Sequence, residues 1–142
     1  MKKAHILLVE DNEGDIYLTK EAFEESKITN KISVLKSGAD VMDYLKKADR
    51  FPDPQTPDLI LLDLNLPKKN GLEVLLEIKG SEAFKMIPII MLTTSSSEQD
   101  IEEAYKAQVN CFITKPVDAE SFLKVVSATE NFWIQIVTLP KP

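Results

Sequence analysis

Five short apolar runs recur along the chain, at residues 6–9, 32–35, 59–62, 89–92 and 111–113, each of strand length and none alternating with polar residues. Between them lie stretches with helical spacing: Val41, Met42 and Leu45, then Leu72, Leu75 and Leu76, then Ile101, Ala104 and Tyr105. A last and longer helix is predicted over Phe122, Val125, Val126, Thr129 and Trp133. Apolar strands regularly separated by helices need cover on both faces, which a parallel sheet provides. The fold class is therefore α/β. Helix starts agree, with Ser96 and Gln99 forming a capping box and Asp118 capping the final helix after Pro116.

At 142 residues, 44% of them hydrophobic, the chain suits one domain with a sizeable core, spanning 1–142. The proline-rich stretch at 51–57 is read as a stiff surface loop, because the strand–helix rhythm resumes unchanged after it. The net charge of −6 argues against a nucleic-acid binder, which usually presents a basic face. Cys111 is the only cysteine and is expected to be a small buried hydrophobe, so there is neither an internal disulfide nor a cysteine zinc cluster. His5 is the lone histidine, so a histidine-rich metal site or a serine–histidine triad is very hard to build here. The apolar start is broken at once by Glu10 and Asp11, and no window approaches the roughly 18 apolar residues of a membrane span. The expected setting is the cytoplasm.

In an open parallel sheet, ligands bind beyond the carboxyl ends of the strands. The first strand ends in Glu10-Asp11, the third in Asp63-Leu64-Asn65, the fourth in Thr93-Thr94-Ser95 and the fifth in Thr114-Lys115-Pro116. One edge thus gathers three carboxylates, a run of hydroxyls and a lysine, while the second strand simply turns into a helix at Lys36-Ser37-Gly38. Carboxylates about 4 Å apart at an effective dielectric near 20 repel by on the order of 4 kcal/mol per pair, so the cluster calls for a cation. Oxygen ligands without histidine or cysteine favour Mg²⁺, and acids holding Mg²⁺ beside a lysine and a hydroxyl equip a site for phosphoryl transfer.

Each piece has a plainer explanation. Glu10-Asp11 could cap the next helix, Thr93 and Thr94 are common strand-end residues, and Lys115 alone would be a solvated charge. Asp63 resists such treatment, because an acid ending the buried run Leu59-Ile60-Leu61-Leu62 is unfavourable unless paired or metal-bound.

The set Val9-Glu10-Asp11, Leu61-Leu62-Asp63-Leu64-Asn65-Leu66-Pro67 with Asn70-Gly71, Met91-Leu92-Thr93-Thr94-Ser95 and Phe112-Ile113-Thr114-Lys115-Pro116 resembles the receiver domain of two-component response regulators. The resemblance covers about residues 3–131. It implies a flavodoxin-like, doubly wound five-stranded parallel sheet in order 2-1-3-4-5 with five helices. It further implies that Asp63 accepts a phosphoryl group from a sensor histidine kinase. Asp11, Asp63 and the backbone carbonyl of Asn65 would ligate Mg²⁺ directly, and Glu10 through a water. Glu10 stands where Asp is commoner. Lys115 would pair with the phosphoryl oxygens across a cis Lys115-Pro116 bond, Thr93 would be the switch hydroxyl and Phe112 the aromatic that turns inward behind it; alternatively, Phe112 is an ordinary core residue.

No output domain is expected, so the message would pass by binding a downstream effector or by transfer to a histidine phosphotransfer protein. The apolar extension at 132–142, holding the only tryptophan, exceeds what one helix face can bury. It is read first as part of a homodimer surface with helix 4, strand 5 and helix 5, and otherwise as a flap over the domain's own flank. This extension, residues 109–116 and the proline-rich insertion resemble single-domain regulators that partner phytochrome kinases. Among competing functions, a Mg²⁺-dependent phosphatase would want a second acid where Asn65 stands. A flavodoxin-like electron carrier would not tolerate Asn12-Glu13-Gly14-Asp15 against a phosphate. A degenerate receiver serving only as a protein-binding module keeps the same fold.

Overall fold

Every residue of the run Leu59–Asp63 is buried, the mark of a central strand covered on both faces. A computed structural model describes residues 4–25, 30–51, 55–93, 98–107, 109 and 111–114. In it, strands β1 (Ala4–Val9), β2 (Asn30–Leu35), β3 (Leu59–Asp63), β4 (Ile89–Thr93) and β5 (Cys111–Thr114) form one parallel sheet in the order β2-β1-β3-β4-β5. The α/β class and the expected strand order both hold. Helices α1 (Glu13–Glu25), α2 (Val41–Leu45), α3 (Gly71–Lys79) and α4 (Glu98–Lys106) connect the strands, with a single 3-10 turn at Gly38–Asp40 leading into α2. No helix among the described residues is long and apolar enough to cross a membrane.

Strand side chains alternate between faces. Leu7, Val9, Ile60, Leu62, Ile89 and Met91 pack with Tyr44 and Leu45 of α2, Val74, Leu75 and Ile78 of α3, and Ala104 of α4. The alternate residues Ile6, Leu8, Leu59, Leu61, Ile90 and Leu92 are also buried, as are Ile16 and Phe23 of α1. The face that α3 turns inward differs from the expected Leu72, Leu75 and Leu76. Gly71, Val74, Leu75 and Ile78 are buried, Leu72 is half-buried and Leu76 is exposed. The reason is the stripe itself: Gly71, Val74, Leu75 and Ile78 stand at i, i+3, i+4 and i+7 on one side of the helix, and Asn70 caps its start in a reciprocal capping box with Glu73. The Ser96–Gln99 box, the cap at Asp118, the final helix, the Lys115-Pro116 bond and the side chain of Cys111 lie outside the described residues.

Two glycines let the loop between β3 and α3 close. A Cβ on Gly71 would stand 2.3 Å from the Asp63 carbonyl oxygen and 2.7 Å from the Leu64 Cα. One on Gly38 would stand 2.1 Å from the Lys69 carbonyl oxygen. Gly38, at the end of the second strand, therefore supports the loop after the third. Within that loop Lys69 N–H donates to the Pro67 carbonyl at 2.7 Å across Lys68, whose φ of 67° is in the left-handed region. We predict that Gly71→Ala destabilises the fold by about 1–3 kcal/mol through this overlap, read as a lower urea midpoint. Lys68→Gly, which relieves the left-handed backbone, should stabilise the fold by up to about 1 kcal/mol and raise the midpoint.

Candidate functional site

Strand register decides which residues meet at the carboxyl edge. Val9 pairs with Leu62, so Glu10 follows at the level of Asp63; Asp63 pairs with Leu92, one residue before Thr93; and Thr93 pairs with Thr114. Carboxylate oxygens of Glu10, Asp11 and Asp63 all lie within 4.8 Å of one another. Glu10 is fully buried, Asp63 is 3% exposed and Asp11 faces solvent.

Capping does not account for the acidic pair. Asn12 caps α1, its Oδ1 accepting from Asp15 N–H at 2.9 Å while its carbonyl accepts from Ile16 N–H. The spacing of Asn12 and Asp15 was the signal for this cap, and it frees Asp11 from that duty. Glu10 is anchored at its backbone by an N–H bond to the Leu35 carbonyl, and its Oε2 accepts from Asn12 N–H at 3.2 Å. It is thus fixed by β2 on one side and by the start of α1 on the other.

Asp63 is held by the continuation of its own strand. Leu64 N–H donates to the Leu92 carbonyl at 2.8 Å, and Gly71 N–H returns to the Leu64 carbonyl at 2.8 Å. The loop between these bonds carries exposed Asn65, and Lys69 at its far side pairs with Glu77 at 2.7 Å. Lys36, just past β2, pairs with Glu13 at the first turn of α1. Phe112 is half-buried on β5, its ring 6.2 Å from that of Tyr105 on α4, and packs at the margin of the core. The backbone of Thr93 ends β4 at the same edge. The Thr93 side chain and the whole of Lys115 lie outside the described residues.

Three carboxylates this close, two of them withdrawn from water, repel by on the order of 3–4 kcal/mol per pair at an effective dielectric near 20, and by less for exposed Asp11. The donor set is all oxygen, which fits a hard divalent cation. Asp63 combines burial with a carboxylate facing this cluster, the position of a nucleophile or a ligand.

A family model described as "Response regulator receiver domain" matches residues 6–127. Response regulator Rcp1 of Synechocystis sp. is 43% identical over 135 residues, covering 95% of this chain and 92% of that protein. At most 127 of those residues precede the end of the family match, so at least eight lie beyond it. The crystal structure of the phosphorylated cyanobacterial phytochrome response regulator RcpA is similar, with a TM-score of 0.82 at 41% identity, covering 95% of this chain and 96% of that one. The Mn²⁺-bound form of Rcp1 gives a TM-score of 0.81 at 41% identity, with 95% and 97% covered.

Asp11→Asn removes one of three mutually repelling charges at an exposed position that caps no helix. Without divalent cations it should raise the melting temperature by a few degrees, and it should abolish most of the further rise on adding Mg²⁺. Thermal melts in chelator and in Mg²⁺ check both effects.

Proposed function

The chain belongs to the response regulator receiver domain family, and from that premise we propose that Asp63 is the carboxylate that takes the phosphoryl group. As a receiver it is a phosphoacceptor of a two-component system, not an enzyme of the ordinary kind. The observation that carries the assignment to Asp63 is its burial at the end of β3 with Glu10 and Asp11 within 4.8 Å.

In this reading an Asp63 carboxylate oxygen attacks the phosphorus of a phosphohistidine on the partner kinase. The O–P bond forms as the P–N bond breaks, and the imidazole leaves with the electron pair and is protonated by solvent. Asp11, Asp63 and the Asn65 backbone carbonyl, with Glu10 acting through a water, would hold a Mg²⁺ ion, which neutralises the clustered charge and that of the transferring oxygens. Lys115 would pair with the phosphoryl group and the Thr93 hydroxyl would donate to it. Phe112, half-buried beside Tyr105, would turn inward behind Thr93. The roughly −1.5 to −2 charge that phosphorylation adds then biases the face formed by α4, β5 and the segment after it.

The likeness to phytochrome response regulators over nearly the whole chain supports a phytochrome sensor histidine kinase as the donor. It also supports reading 1–142 as one receiver domain, since more than nine-tenths of each relative is covered. The message would leave by binding an effector or by transfer to a histidine phosphotransfer protein, in the cytoplasm where such a kinase presents its phosphohistidine.

With acetyl phosphate and Mg²⁺, the protein should gain one phosphoryl mass in intact-mass spectrometry, and Asp63→Asn should lose at least about nine-tenths of that product. An unchanged wild-type mass would favour an inert protein-binding module. A fully phosphorylated Asp63→Asn variant would move the acceptor elsewhere.

A further inference from the structure

Of the three clustered acids, Glu10 has the longest side chain and is the most deeply buried. Ordering such a side chain gives up rotamer freedom, which its bonds have to offset. Its Oε2 accepts from Asn12 N–H at 3.2 Å, so the direction of the buried carboxylate depends on where the backbone of residue 12 stands.

That backbone is pinned from the other side. Asn12 Oδ1 accepts from Asp15 N–H at 2.9 Å and its carbonyl accepts from Ile16 N–H at 2.9 Å, so both bonds lead into the first turn of α1. A Cβ on Gly14 would stand 3.2 Å from Asn12 Oδ1, which shows how closely the side chain lies over that turn. The turn is fixed in its own right. Ile16, Thr19 and Phe23 are buried, and the Thr19 hydroxyl donates to the Asp15 carbonyl at 2.8 Å. Glu13 pairs with Lys36, the neighbour of Leu35, and the Leu35 carbonyl accepts the Glu10 N–H. The packed core thus reaches the acidic cluster through α1 and Asn12.

Asn12 is exposed and adds no carboxylate to the cluster. Without its Oδ1 bond the first turn of α1 loses a cap, and the N–H that faces Glu10 is no longer aimed. Binding an ion then has to order this segment as well as gather the acids, and affinity falls with the fraction of molecules already in the competent arrangement. We propose that Asn12 is a positioning residue of the cation site: by capping α1 it holds its own N–H on the Glu10 carboxylate and presets the direction in which that buried acid meets the ion. This role rests on the reading of Glu10, Asp11 and Asp63 as a divalent-cation site, and the experiment separates the two.

Full-length protein is titrated with Mn²⁺ well below its melting transition, free Mn²⁺ being read by electron paramagnetic resonance, and each variant is also melted in chelator. Asn12→Ala should weaken Mn²⁺ binding about three- to tenfold. That is at or below the range usual for removing a group bonded to a metal ligand, because the donor facing Glu10 is backbone and stays in the chain. Asn12→Ser, whose hydroxyl can accept the same helix N–H, should bind within about twofold of wild type. A lower melting temperature for Asn12→Ala in chelator with unchanged Mn²⁺ affinity would reduce Asn12 to a plain helix cap and overturn the proposal. Equal loss in Asn12→Ala and Asn12→Ser would overturn it in favour of a direct part for the side-chain amide. Wild-type protein that takes up no Mn²⁺ would overturn the cation site itself, and the role of Asn12 with it.

Discussion

Mutual repulsion among three carboxylates is the constraint around which this molecule is arranged. Nothing in the local chain would bring Asp63 to the neighbours Glu10 and Asp11, and their charges oppose it. They are held by the β1–β3 register, in which four consecutive pairs from Ile6 opposite Leu59 to Val9 opposite Leu62 lock the two strands side by side. Those eight side chains are buried on both faces of the sheet, so the apolar core supplies the stability that the acidic edge withdraws. A single-residue slip of the register would move Glu10 out of level with Asp63 and break up the acidic cluster.

The edge is also built from backbone. The carbonyls of Leu92 and Leu35 accept an N–H from Leu64 and Glu10, each just past a strand end, extending the sheet's hydrogen bonding into its loops, and Gly71 N–H at the start of α3 closes the β3–α3 loop on the Leu64 carbonyl. Gly71 permits the return of the β3–α3 loop against Asp63, and Gly38 permits the end of β2 to rest on the same loop at Lys69. Left-handed Lys68 sits within the same β3–α3 loop. Strain concentrated at a reactive edge and compensated by a well-packed core is a common way for proteins to keep a functional group in an unfavourable place.

Much of this could be read from the chain. Asp63 stood out because an acid ends an apolar run, and the strand-end sets at Glu10-Asp11 and Thr93 fell in the right order to share an edge. The Asn70–Glu73 capping box and the Asn12–Asp15 cap are also legible as residue types at the right spacing, while Gly71, Val74, Leu75 and Ile78 compete with Leu72, Leu75 and Leu76 as the inward stripe of α3, and packing selects the first. Gly38 carried no signal, because what makes it necessary is the carbonyl of Lys69, which the sequence places 31 residues away.

The sequence by itself determined the strand–helix alternation, the parallel sheet and the chemistry available at its edge, because these follow from periodicity and from residue type at strand ends. Tertiary structure alone decided that Glu10 and Asp63 are buried while Asp11 is exposed, that Gly38 rests against the loop after β3, and that a groove opens between α3 and α4. Those facts depend on distances between residues far apart along the chain, and such distances are set only when register and helix rotation are fixed together by packing.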